Sequence, residues 1–436
     1  MDILIKIAQL FLCFTILVGI HELGHFLMAR AFKIRVEKFY IFFDPWFSLF
    51  KFKRGDTEYG LGWLPLGGYV KIAGMIDESM DKEQMKQPVK PDEFRAKPAW
   101  QRLLVMVAGV MMNVLLAIVI YCAVCYTWGD SYFSNQDAKW GYNFNPTAHE
   151  MGFRDGDRFV SIDGEEIDNV MRVQNDLLIT DGGRRVVVER GGEPVTLDIP
   201  FESLLRMRQE KAYEDLFTLR LPFIVDSVSY TSAVEAGLQS GDEVVAIDDL
   251  RDADYPRYRD YLQKHKNDKV LLTVRRDGAL IDSLALPVDA EGRIGVTVTN
   301  PYSLRTQYYT FWESIPAGIH KAGKTISSYW DQLKLIVQPK TKMYEELGGF
   351  VAIGSIFPSS WDWHDFWLKT AFLSIILAVM NLLPIPGLDG GHALFTLWEI
   401  ITRRKPSEKF LEVAQYVGLM IILALLVYAN GNDIYR

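Results

Sequence analysis

The segment His21-Glu22-Leu23-Gly24-His25 has the residue types and spacing of a metal-dependent hydrolase. Two histidines four positions apart lie on one face of a helix, where both imidazoles can bind one metal ion. Glu22 lies beside them and can accept a proton. The segment falls inside an apolar run from Ile7 to Phe32 that is long enough to cross a bilayer. The pattern therefore predicts a zinc hydrolase whose site lies within the membrane.

The alternative for this run is a signal peptide or a plain membrane anchor that contains the motif by chance. A signal peptide begins with a basic cluster and ends at a small-residue cleavage site. Here Lys6 is the one basic residue before the run, and no such cleavage site is evident. Ionisable side chains at membrane depth cost about 2.5–3.5 kcal/mol each when charged, so they commonly mark functional sites. The functional interpretation is therefore favoured.

Composition indicates a protein with both membrane and water-soluble parts. Of the 436 residues, 49% are hydrophobic and 23% are charged. Besides the first, three runs are long enough to span a bilayer: Trp100–Trp128, Phe366–Leu383 and Leu411–Ala429. The net charge of -8 is distributed along the chain, and no basic tract contains interleaved aromatic residues. We therefore expect a lipid bilayer around four spans and no nucleic-acid partner.

Basic residues near the span ends predict the orientation, because they remain on the cytoplasmic side. The loop after the first span and the segment before the second are basic, and so is Arg403-Arg404-Lys405 between the last two spans. Both loops are therefore expected in the cytoplasm. The block from 128 to 365 and both termini should face outward, into the periplasm if the cell is Gram-negative. All three cysteines lie in predicted spans, so no disulfide is expected.

A metal held by two histidines needs a third protein ligand if one position is to stay open for water. Asp389 is the candidate, within the segment Met380–Gly391. Pro384 and Pro386 end regular helix there and place Asp389 in irregular backbone beside the membrane core, where such backbone can line a cavity. The adjacent glycines would let the chain approach a metal closely. The alternative is that Asp389 caps the start of the following helix.

Taken together, HELGH at 21–25 and NLLPIPGLDGG at 381–391 resemble the site-2 protease family of intramembrane zinc metalloproteases. Further segments of the same pattern are Gly60–Val70 and Gly109–Asn113, so the resemblance covers essentially the whole chain. It implies single-span membrane proteins as substrates, namely an anti-sigma factor already cut on its exported side and, as a second class, remnant signal peptides. It also implies that Asn381 holds the substrate backbone.

The exported block contains an internal repeat. Ala148–Asp163 aligns with Ala233–Asp248 at an offset of 85 residues, and each copy is followed by a β-rich run. This pattern is similar to PDZ domains, so two tandem PDZ domains are expected. A PDZ domain captures an extended peptide by adding it to a sheet edge. The alternative role, which we favour, is steric: the pair would cover the active-site opening and admit substrates whose bulky exported domain has been removed.

Two membrane-associated segments complete the predicted architecture. Gly60–Lys71 resembles the family's membrane-associated β-loop, which could pair with an unwound substrate, with Gly67 and Gly68 allowing close approach. Its alternative is an ordinary cytoplasmic hairpin. The stretch Phe311–Gln338 has an apolar face at helical spacing, suited either to the membrane surface or to packing on the second PDZ domain.

The predicted fold class is a polytopic α-helical membrane protein with four transmembrane helices, a pair of α+β PDZ domains inserted in the exported loop and a membrane-associated β-hairpin or loop. The predicted segments are 1–32 (first span), 33–98 (cytoplasmic loop, with the β-loop at about 56–74), 99–128 (second span), 129–215 and 216–300 (PDZ domains), 301–362 (amphipathic membrane-surface segment), 363–392 (third span) and 393–436 (short basic loop and fourth span).

The ligand set predicts the chemistry. One Zn²⁺ bound by His21, His25 and Asp389 would make hydroxide available from water at neutral pH. Glu22 would take the water's proton and deliver it to the leaving amine. Asn381 would stabilise the developing charge or hold the substrate, unless it forms an interhelical hydrogen bond.

Gly109 and Asn113, four apart on the second span, are interpreted as helix-packing residues. Two rival functions remain for the whole chain: a catalytically silent membrane PDZ scaffold or chaperone, and an ion-conducting transporter. A scaffold would not need Glu22, and a transporter should show paired charges in both halves.

Overall fold

A computed structural model describes residues 2–64, 67–75, 88–213 and 215–435. They form two compact units. The first, called the membrane unit, comprises Met1–Asp130 and Tyr308–Arg436, and the second, the inserted unit, comprises Ser131–Gln307.

Helices and strands are numbered in chain order. The α-helices of the described residues are α1 Asp2–Ala31, α2 Ala99–Trp128, α3 Pro146–Glu150, α4 Val173–Leu178, α5 Phe201–Gln209, α6 Thr231–Glu235, α7 Tyr255–Lys264, α8 Phe311–Val337, α9 Phe350–Ser355, α10 Trp363–Leu382, α11 Asp389–Thr402 and α12 Glu408–Tyr435. The strands are β1 Val36–Ile41, β2 Phe50–Arg54, β3 Thr57–Leu61, β4 Tyr69–Ile72, β5 Asp130–Tyr132, β6 Tyr142–Phe144, β7 Arg158–Ile162, β8 Glu165–Glu166, β9 Arg184–Arg190, β10 Glu193–Ile199, β11 Phe217–Leu219, β12 Val225–Val228, β13 Glu243–Ile247, β14 Lys269–Arg276, β15 Ala279–Pro287, β16 Val296–Val298 and β17 Arg305–Gln307.

Four helices of the membrane unit, α1, α2, α10 and α12, are long and apolar enough to cross a bilayer. They correspond to the four runs found in the sequence, so the prediction of a polytopic α-helical membrane protein is confirmed. Helix α1 crosses α2 closely at Gly24, where a β-carbon would lie 2.5 Å from the Ala108 carbonyl oxygen. This approach presses the HELGH segment against α2.

A four-stranded sheet follows α1, with strand order β2-β3-β1-β4. Strand β1 pairs in parallel with β3 and antiparallel with β4, so that Phe39 lies opposite both Tyr59 and Val70. The sheet is larger than the predicted β-loop at 56–74, because β1 and β2 precede that range. Within the predicted loop, Pro65 and Leu66 lie outside the described residues. Strand β4 is at one edge of the sheet and next to α1.

The amphipathic helix α8 packs on α2 and α10. Ala322, Ile326 and Leu333 join a cluster with residues of the second and third spans. At Gly318 a β-carbon would lie 2.5 Å from the backbone nitrogen of Cys122. The interpretation of this helix as lying on the membrane surface was therefore incomplete, because its small residues allow it to lie against a span.

The third span ends earlier than predicted. Helix α10 stops at Leu382, and Asp389 is the first residue of α11, not part of irregular backbone. Pro384 and Pro386 do end α10, but the positive φ of Gly387 forms a turn, and a new helix begins after six residues. Residues 393–402 consequently continue α11, where a loop was expected. A carboxylate in the first turn of a helix is favoured by the helix dipole.

The inserted unit contains the two copies of the internal repeat. Strands β7 and β13 begin 85 residues apart, as do β9 and β14. In each copy a buried aspartate receives two hydrogen bonds from one arginine: Asp157 from Arg190 and Asp242 from Arg276. Each copy also has its own hydrophobic core. The two copies are therefore structurally equivalent modules.

Candidate metal centre

Three potential ligand atoms converge between α1 and α11. His21 and His25 lie one turn apart on α1 and are buried, with their Nε2 atoms 3.3 Å apart. Asp389 Oδ2 lies 3.0 Å from the first of these nitrogens and 3.2 Å from the second. The structure thus brings together residues that are separated by more than 360 positions in the sequence.

This arrangement fits one zinc ion. Zinc ligands at about 2.0–2.2 Å in a tetrahedral arrangement lie about 3.3 Å from each other, close to the observed separations of 3.0–3.3 Å. Asp389 Oδ2 is a buried acceptor that receives no hydrogen bond from the described residues. An anionic oxygen of this kind is costly unless a cation compensates it. Two imidazoles and one carboxylate are also the donor set of several catalytic zinc sites, which leave one position open.

Hydrogen bonds from α2 orient both imidazoles. His25 Nδ1 lies 2.8 Å from the carbonyl oxygen of Val105, and a carbonyl can only accept, so Nδ1 carries the proton. Its Nε2 then presents a lone pair toward Asp389. His21 Nδ1 lies 3.2 Å from the side-chain amide of Asn113. If Nε2 of His21 binds the metal, its Nδ1 carries the proton and donates the hydrogen bond. The acceptor is then the amide oxygen of Asn113, because the oxygen and nitrogen ends of an amide have the same shape and can be interchanged by a rotation of about 180°.

Gly109 leaves room for the two histidines. A β-carbon at this position would lie well inside van der Waals contact with Nε2 of His25 and 2.7 Å from Cε1 of His21. The interpretation of Gly109 and Asn113 as plain helix-packing residues was therefore incomplete, because both contact the presumed ligands. In the sequence, their spacing of four showed that both residues lie on one face of α2. The spacing did not show that this face of α2 meets the HELGH face of α1.

Glu22 projects from α1 toward the edge strand β4. The backbone N–H of Val70 is directed at its carboxylate. A β-carbon at Gly68 would lie 3.2 Å from Cγ of Glu22 and 2.7 Å from Val18. Gly68 therefore permits the segment before β4 to lie directly on α1 beside the candidate base. Gly67 has a φ of +145° and packs against the ring of Phe43.

Aromatic stacking holds β4 in place. Tyr69 stacks on Tyr40 and Phe43, with ring centroids 5.2 and 6.0 Å apart, and donates a hydrogen bond to Asp44 over 3.0 Å. Burial and the adjacent Asp44 carboxylate raise the pKa of Tyr69, so the phenol stays a neutral donor. The strand beside Glu22 is consequently fixed from the side of the sheet.

Asn381 lies in the last turn of α10, eight residues before Asp389. Its side chain is half-buried and forms no hydrogen bond within the part of the chain that the structure describes. The predicted substrate-binding residues thus lie in two places. Gly67 and Gly68 precede β4, with Gly68 next to Glu22, whereas Asn381 lies on α10, the helix that leads into the turn before Asp389.

Comparison with known proteins gives one family. The profile of peptidase family M50 matches residues 9–425. The chain is 28% identical over 426 residues to a "Putative zinc metalloprotease" of Clostridium perfringens, covering 97% of this chain and 96% of the relative. It is 27% identical over 460 residues to the "Regulator of sigma E protease" of Haemophilus influenzae, covering all of both chains. A "Putative zinc metalloprotease" of Vibrio cholerae is 29% identical over 462 residues, covering 100% of this chain and 99% of the relative.

Proposed function

The chain belongs to peptidase family M50, and we propose that it hydrolyses a peptide bond within or near the transmembrane segment of single-span membrane proteins. Family membership confirms the predicted site-2 type metalloprotease, and the zinc in the relatives' names agrees with the donor set found here. The observation that carries the proposal is the convergence of His21, His25 and Asp389 beside Glu22. The two histidines and Glu22 lie on α1, which is long enough to span a bilayer.

The roles of the residues follow from their positions. Zinc held by His21, His25 and Asp389 would supply a Lewis acid that makes water a nucleophile near neutral pH. Glu22 accepts the proton of the attacking water and returns it to the leaving amine nitrogen. The Val70 N–H of β4 is directed at the Glu22 carboxylate, which places this edge of the sheet beside the candidate base.

The substrate backbone needs new partners, because a peptide bond in a helix is protected by its own hydrogen bonds. We place the unwound segment along β4, where it would add a strand to what is an edge of the sheet among the described residues. This edge already turns a backbone N–H toward Glu22. Asn381 would donate to the same segment from the other side. The alternative role, an interhelical hydrogen bond, finds no acceptor for Asn381 among the described residues.

Gly68→Ala tests the close approach of β4 to α1. The added methyl group would meet Val18 and the Tyr40 carbonyl oxygen, both at 2.7 Å, and should displace the edge strand from Glu22. We expect cleavage of a single-span substrate to fall about tenfold or more, with zinc content unchanged, since a 1 Å misplacement can cost about a hundredfold. Gly19→Ala is the matched control, because its methyl group would face the same sheet at an ordinary 3.7 Å from Ile41. Equal losses in both variants would contradict the role of Gly68.

The two modules of the inserted unit are proposed to be tandem PDZ domains that act as a size filter. Direct contacts between the two copies support this role. Trp140 donates to Glu243, Asn143 donates to Asp254, and Asp155 accepts from Arg257, so polar contacts link the two copies. A filter must keep a fixed shape, whereas peptide capture requires only one free sheet edge.

Adding a stably folded domain to the exported end of a cleavable single-span substrate should lower its cleavage rate about tenfold or more. Gel-based rates for the trimmed and extended substrates in proteoliposomes measure this effect. An unstructured extension of the same length is the control and should be tolerated. Similar rates for the folded and unstructured extensions would exclude a size filter and leave peptide capture.

The proposed location is the bacterial inner membrane, with the inserted unit and both termini in the periplasm. We propose an anti-sigma factor, already cut on its exported side, as the natural substrate, and remnant signal peptides as a second class; the relative named "Regulator of sigma E protease" supports a role in sigma-factor regulation. Labelling single cysteines introduced at exposed Met171 and exposed Leu280 with a membrane-impermeant maleimide on intact spheroplasts tests the orientation. Absence of labelling before lysis would overturn it.

The proposed activity is tested with the purified full-length chain in proteoliposomes and a fluorescent single-span substrate. We expect one zinc per chain, cleavage inside or near the span as located by mass spectrometry, loss of cleavage on chelation and recovery with Zn²⁺. Cleavage that persists after complete removal of zinc would refute the proposed chemistry.

A further inference from the structure

The last span contacts the turn that carries the third ligand. A β-carbon at Gly418 of α12 would coincide with the carbonyl group of Pro386, three residues before Asp389. The next residue, Gly387, approaches Ile422 and the backbone nitrogen of Leu419 at 3.4–3.5 Å, measured from a β-carbon position. Backbone thus lies directly on backbone at this point, and glycine is the residue type that allows it.

The first turn of α11 also contacts this turn. A β-carbon at Gly391 would lie 2.5 Å from the Ile385 carbonyl oxygen and 2.7 Å from Cα of Pro386. Pro386 therefore contacts both the first turn of α11 and the middle of α12. A shift of α12 by a few tenths of an ångström would be transmitted to Pro386, because neither contact contains a flexible side chain.

The contact of α12 is narrow. Only 11% of its most apolar 18 residues are buried, and side chains adjacent to Gly418, such as Val417 and Met420, are more than half exposed. The helix is anchored a second time near its end. There Asp433 accepts hydrogen bonds from the backbone N–H groups of Gly349, Val351 and Ala352, at 2.9–3.1 Å. These three hydrogen bonds fix the position of α12 along its axis, so that Gly418 rather than a neighbouring residue of the helix faces Pro386.

We propose that Gly418 is a positioning residue for the metal site: it lets α12 support the Pro386 turn and thereby sets the Asp389 carboxylate against His21 and His25. This inference rests on the proposed function of the site. Gly418 touches neither substrate nor ligand atoms, and it acts through the backbone of 386–389. The last span is thus not only a membrane anchor but also part of the scaffold that completes the metal site.

The test is the zinc affinity of full-length Gly418→Ala in detergent, measured by competition with a chelator, alongside Gly431→Ala. Both substitutions add one methyl group to α12, but a β-carbon at Gly431 meets nothing within 4 Å. We expect Gly418→Ala to weaken zinc binding about ten- to a hundredfold, as removal of supporting contacts around a metal site does. Gly431→Ala should bind zinc as the wild type does, and the thermal unfolding of both metal-free variants should match.

A second pair keeps the test decisive if Gly418→Ala does not fold. Ile422→Ala removes the side chain that contacts Gly387, and Ile421→Ala removes a neighbour that is 44% exposed. Weaker zinc binding in Ile422→Ala alone would support the inference. Wild-type zinc affinity in folded Gly418→Ala, or equal affinities within the isoleucine pair, would overturn it. Failure of the wild type to bind zinc would instead refute the proposed function.

Discussion

Glu22→Gln is expected to lower the cleavage of a single-span substrate by about 10²–10⁴-fold, the usual contribution of general acid–base catalysis, while zinc stays at one per chain. Glutamine has nearly the same shape as glutamate and can still contact the Val70 N–H through its amide oxygen, so the fit of β4 on α1 is kept. It cannot accept the proton of water. The rate loss should therefore appear in kcat, with little change in substrate binding.

Glu166→Gln, an exposed position in the inserted unit, is the matched control and should cleave as the wild type does. Metal analysis of all three proteins separates loss of the base from loss of zinc. Equal cleavage by Glu22→Gln and wild type would exclude the protease mechanism. Because the inactive variant keeps its substrate site, it should also retain uncleaved natural substrate during purification, which mass spectrometry can identify.

Much of the site could be predicted from the sequence because its chemically active residues lie in short local motifs. The i, i+4 spacing of His21 and His25 fixes their common face once α1 is known to be helical. The position of Asp389 after two prolines marked it as a residue beside the membrane core. The pairing of these segments depended on resemblance to a family, since no local pattern states that α11 meets α1.

The errors in the prediction concern contacts between distant elements. The sheet at 36–72 extends beyond the predicted β-loop because β1 pairs with both β3 and β4, which is a nonlocal choice. The predicted irregular backbone at Asp389 overlooked that Gly387 can turn the chain quickly enough for a new helix to begin. Gly109 and Gly418 have no side chain to suggest a role, and their importance is visible only when the opposing atoms are known.

Gly109→Ala is expected to abolish zinc binding although it changes no ligand. The new methyl group would clash with Nε2 of His25 and with Cε1 of His21. Neither ring can retreat while its Nδ1 is tied to α2, at Val105 and Asn113. The variant must therefore separate α1 from α2 or rotate the rings away from Asp389.

Metal analysis and cleavage assays of full-length Gly109→Ala should show less than about a tenth of the wild-type zinc and activity, at least as large as the tenfold lower bound for losing a supporting contact of a metal site. Gly323→Ala on α8, where a β-carbon meets nothing within 4 Å, is the control for adding a methyl group to a helix of the membrane unit. Wild-type zinc content in folded Gly109→Ala would show that the rings can adapt. The close approach of α2 would then not be required for the site, and the ligand geometry would depend on α1 and α11 alone.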